Sequence, residues 1–248
     1  LPVKKCYNVK TLPKKHFTEE YKMKHKIHGQ MSDSFLTAAF LSVSGGLQDA
    51  YTYIFRGKVF ANAQTGNILL LGINISERNW HMALHYLVPV LAFAIGIALA
   101  DLVKIRTKDL TLLHWRQISV FCEAVILLSV SFIPQDFNLV ANALTSLACG
   151  IQVESFRKIH GNGIATTMCI GNLRSATQHM CSYANTKDKE YIKKGLLYYG
   201  IIFFFVIGAV IGNACVEMFA EKALLIASAI LAVAFVMMFV DGEKEQCK

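Results

Sequence analysis

Few side chains in this sequence could do chemistry, and those few sit in apolar surroundings. Asp49 lies inside an apolar stretch, with Ser42, Gly45 and Tyr53 on the same helical face at spacings of three and four. A carboxylate there needs a partner, a water-filled cavity or a function. Its functional reading is a proton or cation site, and its structural reading is a hydrogen-bonded packing contact. Gln48 and Gln152 stand at matched places in two similar stretches. They could line one centre as a pair, or simply hydrogen-bond between helices. Glu154 precedes Arg157 and Lys158 by three and four residues, so a local ion pair is available. Glu123 follows Arg116 by seven residues, and no partner for it can be named from spacing.

Two polar, glycine-containing segments stand out. They are Asn62-Ala63-Gln64-Thr65-Gly66-Asn67 and Thr166-Thr167-Met168-Cys169-Ile170-Gly171-Asn172. Each precedes a short run able to form a helix. Non-helical backbone at membrane depth must be buried in protein or line a cavity. A helix starting near these glycines would aim free N–H groups into the protein, and such an end favours anions. Arg174 lies just inside the second segment. A carboxylate-bearing or otherwise anionic solute is therefore one candidate ligand. The alternative is that Arg174 pairs with Asp49, Glu123 or Glu154 and only holds the structure together.

Other constellations are weaker. His81 and His85 could share a helix face, but two histidines make a poor metal site, and an interfacial helix is the better reading. The seven cysteines, at 6, 122, 149, 169, 181, 215 and 247, form no CxxC pair, and most read as small hydrophobes. No HExxH, GxSxG, Walker or Rossmann pattern occurs. The expectation is a protein with no catalytic residue, no metal and no cofactor.

The elements that must position these residues follow from composition. Hydrophobic residues make up 54% of the 248 and charged residues 17%, against roughly 25% charged in an average soluble domain. The apolar residues come in blocks long enough to cross a bilayer. Strong blocks cover 34–55, 85–103, 115–133, 138–156, 195–216 and 223–240. Weaker ones cover 58–76 and 162–182 and contain the two polar segments. Trp80 and Trp115 lie near block ends, where indole rings favour the membrane interface.

An internal repeat of about 105 residues is visible. Gly46-Leu47-Gln48 matches Gly150-Ile151-Gln152 at a spacing of 104, and Gly57 and Ala61 match Gly161 and Ala165. Gly66-Asn67 matches Gly171-Asn172 at 105. Phe93-x-x-Gly96 with Asp101 resembles Phe205-x-x-Gly208 with Asn213. The matches keep register with the hydropathy pattern, which points to a duplication.

Charge decides how many blocks cross. If all eight span, the loop 104–116, with Lys104, Arg106, Lys108 and Arg116, falls outside, against the positive-inside rule. If the weak blocks enter and leave on one side, that loop and Arg157, Lys158, Lys187, Lys189, Lys193 and Lys194 lie inside. The Asp136 link and the Glu217/Glu221 link then lie outside. Arg56, Lys58 and Arg78 are exceptions. The expected fold is thus an all-α polytopic transmembrane helical bundle. It has six full spans plus two weak or re-entrant segments, with eight spans as the alternative. Three crossings per repeat would make the second copy inverted, a common transporter plan.

Residues 1–30 hold eight lysines against Glu19 and Glu20, giving +6 of the total formal charge of +8. This reads as a cytoplasmic tail on membrane lipid rather than a nucleic-acid site, since no nucleic-acid motif is present. It does not read as a signal peptide. The expected organisation is a poorly ordered basic tail at 1–33, one transmembrane domain at 34–241 built of repeats 34–134 and 138–241, and a tail at 242–248.

The motif Gly45-Gly46-Leu47-Gln48-Asp49-Ala50-Tyr51-Thr52-Tyr53, followed by Phe60-Ala61-Asn62-Ala63-Gln64-Thr65-Gly66-Asn67, resembles the signature of the YoaK-type family of multi-pass membrane proteins. Gly150-Ile151-Gln152 with Phe156-Arg157, then Ala165-Thr166-Thr167 and Gly171-Asn172-Leu173, resembles its second signature. Glu154 departs from the small or amide residues expected there. The likeness spans roughly 35–240. It implies a bacterial cytoplasmic (inner) membrane protein with no known substrate, and the charge pattern puts its N-terminus in the cytoplasm. The leading expectation is a small-solute transporter or permease whose site draws on Gln48, Asp49, Asn67, Gln152, Asn172 and Arg174. The alternative is a non-transporting membrane scaffold or sensor. A membrane enzyme acting on lipid is a third, weaker reading.

Overall fold

The computed structural model describes residues 34–106, 115–157 and 163–240. The expected tails at 1–33 and 242–248, Cys6 and Cys247, Lys108, Lys158 and Gly161 lie outside the described residues. Those described are helical apart from short links. In chain order they form α1 (Phe35–Phe55), α2 (Gln64–Ser76), α3 (Trp80–Arg106), α4 (Trp115–Val130), α5 (Asn138–Ser155), α6 (Cys169–Thr186), α7 (Lys189–Phe219) and α8 (Leu224–Val240). Two 3₁₀ turns, Gln135–Phe137 and Ala220–Ala223, join α4 to α5 and α7 to α8.

Local signals explain the boundaries. The Ser34 hydroxyl accepts the Thr37 amide hydrogen at 3.1 Å and starts α1. Asp188 caps α7 in the same way, accepting from the Glu190 amide. Arg78 and Lys187 adopt left-handed backbone, at φ 58° each, in the tight turns that lead into α3 and α7. Trp80–Arg106 and the stretch Lys189–Phe239 are long and apolar enough to cross a membrane.

The burial pattern is inverted relative to a water-soluble bundle. Leu91, Ile95, Phe203, Val206 and Val210 are exposed on the outer faces of α3 and α7. Gln48, Asn67, Glu123, Asn142, Gln152 and Asn172 are buried inside. Apolar outer faces around an interior that mixes an apolar core with buried polar groups suit a lipid solvent, where polar groups must find partners within the protein.

Contacts fix which helix ends lie together. Arg56, just past α1, donates to the carbonyls of Ile133 at 2.6 Å and Pro134 at 3.1 Å, and to Asn138 Oδ1 at 3.1 Å. The Tyr51 hydroxyl donates to the Glu221 carbonyl. His85, early in α3, meets the Gly57 carbonyl at 3.0 Å. One end of the bundle therefore holds the C-terminus of α1, the start of α3, the α4–α5 link and the α7–α8 link. At the other end, Lys104 late in α3 lies 3.9 Å from Glu154 late in α5. Helices α1, α3, α4, α5, α7 and α8 run from end to end. The segment 57–79 leaves the first end, dips inward and returns to it through α2, because α2 is joined to α3 by a turn of three residues.

The tightest packing is helix on helix through glycine. A Cβ added at Gly46 would strike the Phe205 carbonyl oxygen, and one at Gly208 would strike that of Val43, so α1 and α7 touch backbone to backbone. The same holds for α5 and α3, where Gly150 faces the Phe93 carbonyl and Gly96 that of Leu147. Only glycine permits such approach, and small residues at helix crossings are the membrane solution to close packing. Helix α1 thus packs on α7, and α5 on α3, each through a pair of glycines.

Candidate functional site

The two segments singled out by polarity are broken where expected. Residues 57–63 and 163–168 are non-helical, and α2 and α6 begin at Gln64 and Cys169, within two residues of Gly66 and Gly171. Both reach the middle of α1. Around Gly45, the side chain of Thr167 comes up from one segment and Asn62 Nδ2 from the other. Asn62 Nδ2 donates to the Gly45 carbonyl at 3.2 Å.

Asp49 sits one turn further along α1 and is 8% exposed. Its Oδ1 accepts the Asn62 amide hydrogen at 2.7 Å, and the amides of Ala61 and Ala63 lie against the same carboxylate. The amides of the loop just before α2 are thus satisfied by the protein's own carboxylate. The position matching Asp49 in the second half is Val153, so the entrance to α6 has no such built-in acid at the matching place. Cys169, which opens α6, lies within electrostatic reach of Asp49.

Gln48 is fully buried. Its Nε2 donates to Ser44 Oγ at 3.1 Å and to Glu123 Oε1 at 3.2 Å, and its Oε1 accepts from Cys149 Sγ at 2.9 Å. Gln152 Nε2 donates to the Leu41 carbonyl at 3.2 Å and to Thr166 Oγ1 at 2.9 Å. Gln48 stands on α1, and Gln152 reaches the same helix two turns away at Leu41, so the two lie either side of Gly45 without bonding each other. Several buried oxygens here have no hydrogen-bond partner among the described residues: Asn62 Oδ1, Thr167 Oγ1 and Gln152 Oε1. Native interiors hold few unpaired polar atoms, and a cluster of them marks a place for a ligand or water.

Asn67 and Asn172 brace the broken segments. Asn67 Nδ2 donates to the Phe60 carbonyl at 2.7 Å, and its Oδ1 accepts the Phe60 amide hydrogen at 3.0 Å. Asn172 Nδ2 donates to the Ala165 carbonyl at 2.6 Å. Each reaches back seven residues, so the matched asparagines hold their loops in the same way.

Arg174 is not brought into this cluster. It lies on the exposed face of α6. Nor does it serve as the partner of the buried acids: Asp49 is held by Asn62, Glu123 by Gln48, and Glu154 by Arg157 at 3.3 Å and Lys104 at 3.9 Å. The local Glu154–Arg157 pair expected from spacing is formed. His81 is exposed, and His85 bridges α3 to the turn at Gly57.

Sequence reasoning missed three contributors. Cys149 read as packing, but its thiol completes the Gln48 chain. Glu123 had no nameable partner because that partner lies 75 residues away. Thr167 was visible only as part of a polar run, and its approach to Gly45 depends on how the two halves dock.

A sequence model of the family described as "Protein of unknown function (DUF1275)" matches residues 37–237. The chain is similar to the "UPF0700 transmembrane protein YoaK" of Bacillus subtilis (strain 168), with 25% identity over 185 residues, covering 70% of this chain and 80% of that protein. No solved structure matches.

Proposed function

The chain belongs to the DUF1275 family and is a membrane protein, and from that premise we propose that it is a small-solute permease. Its polar site lies where the two broken segments meet at Gly45. The observation that carries this reading is the convergence of Asn62, Thr167, Gln152 and Asp49 on the middle of α1, with unpaired oxygens among them. Transporters place substrate sites at the interface of repeats, where interrupted helices expose backbone and polar side chains at mid-depth.

In this reading six helices cross the membrane and the segments holding α2 and α6 are re-entrant. The two halves are inverted copies, supported by the matched glycine contacts and the matched asparagine braces. The end carrying Lys104, Arg157 and Lys187 faces the cytoplasm of a bacterial inner membrane, by the positive-inside rule. Gln48, Asp49 and Gln152 line the site, while Asn67 and Asn172 shape it. Because Asp49 already holds the amides before α2, an anionic group of the solute would go to the entrance of α6. The reading involves no enzymatic step and no cofactor.

The test is a thermal-shift screen of the detergent-purified protein against a metabolite panel, with D49N and R174Q run in parallel. A ligand at 100 times its Kd stabilises the fold by about 2.7 kcal/mol. A stabilising solute whose effect is lost in D49N supports the permease. Solutes that stabilise wild type and D49N equally would move the weight to a scaffold or sensor.

A further inference from the structure

Glu123 stands behind Gln48, and the permease reading gives it no role of its own. Its side chain is fully buried in the middle of α4, among Val120, Ala124 and Leu127. Oε1 accepts from Gln48 Nε2, and Oε2 has no hydrogen-bond partner among the described residues. The ionisable groups around it are few. On α1 the nearest is Asp49, beside Gln48 in sequence. On α5 there are Cys149 and Glu154, and Glu154 is committed to Arg157 and Lys104 at the bundle end. On α4 itself they are Arg116, two turns away, and Cys122. Helix α8 contributes none, and α3, which meets α4 only lightly, carries Asp101, Lys104 and Arg106 near one end and His81 and His85 near the other. No described cation therefore bonds to Glu123, and a carboxylate ionised in such a place is costly.

We propose that Glu123 is a reversible proton-binding site, with Gln48 as its hydrogen-bonding partner in both states. The surroundings fit this role. When Glu123 is ionised, Gln48 Nε2 donates to it, as seen. When it holds a proton, the Gln48 amide turned through a half rotation offers Oε1 to the carboxylic O–H and Nε2 to Cys149 Sγ. Ser44 and Cys149 can each donate or accept, so either orientation of the amide keeps its partners. A fixed donor such as lysine in place of Ser44 or Cys149 would lock one state, and none is present.

Infrared difference spectroscopy of the purified full-length protein, titrated with acid and base, tests this without knowledge of any solute. The expected result is a carboxylic-acid C=O band that disappears as pH rises. It should be absent in E123Q, where the isosteric amide keeps the Gln48 bond, and retained in D49N. If E123Q fails to fold, Q48L serves: loss of the Gln48 partner should shift the band. The proposal is overturned by a titrating band unaffected by E123Q or Q48L, by no such band at any pH, or by a Glu123 band that never responds to pH while the protein stays folded.

Discussion

Asp49 Oδ1 accepts the amide hydrogen of Asn62 at 2.7 Å, and this bond helps hold the chain after α1 against the bundle. Without it, the unwound residues before α2 lose the acceptor that satisfies them at depth. D49A should therefore lower stability by about 1–3 kcal/mol, the range for leaving a buried donor unpaired. D49N keeps a carbonyl oxygen and should lose less. Denaturation of both variants in detergent checks the order, and a D49A protein as stable as wild type would show that the bond does not hold the loop.

Arg56 explains one exception to the charge rule. Read as a loop cation, it sits on the wrong side of the membrane. In the structure it is fully buried, and its guanidinium is spent on Tyr51 Oη, Asn138 Oδ1 and two carbonyls of the α4–α5 link. It clips the end of α1 to that link. R56L should leave those neutral acceptors stranded and cost about 1–3 kcal/mol, the range for leaving buried polar groups unpaired. R56K should also be destabilised, because a single ammonium cannot reproduce the planar fork. Yield of monodisperse protein and the unfolding midpoint measure both, and wild-type behaviour of R56K would show that charge alone suffices.

The glycine contacts make a prediction about symmetry. Gly46 and Gly150 occupy matched places, and each meets a phenylalanine carbonyl on the opposite half, Phe205 and Phe93. G46A and G150A should each destabilise by about 1–3 kcal/mol, the usual result of overpacking. Gly72, with open space where a Cβ would go, is the control, and G72A should be close to neutral. If only one of the matched pair is sensitive, the two crossings do not share the load.

Much of this was legible in the residues. The apolar blocks fixed an all-helical class, since lipid leaves the backbone little choice. The polar glycine runs marked where the helices break, because hydropathy fell there while helix-capable residues followed. What stayed hidden was docking. Gln48 finds Glu123 75 residues away and Arg56 finds the α4–α5 link 77 to 82 residues away, and no local pattern encodes such distances. Arg174 shows the same limit from the other side. Its position near the start of α6 could be read, but which face it occupies depends on how α6 packs against α7, and that packing buries Asn172 and Ala176 instead.

The proposed topology yields the last prediction. Arg78 and Lys187 stand at equivalent turns after the two broken segments, both in left-handed backbone. In an inverted six-span arrangement these turns emerge on opposite sides of the membrane. The Arg78 turn adjoins the end that holds Gly57 and the Glu221 link, while the Lys187 turn adjoins the end where α7 begins. Single cysteines at 78 and 187, in a background with the native cysteines replaced, should be labelled from opposite sides of intact cells by a membrane-impermeant maleimide. R78C should react from outside and K187C only after permeabilisation. An eight-span parallel arrangement requires both to react from the same side, so one labelling experiment separates the two and decides whether the segments that meet at Gly45 come from opposite faces of the membrane.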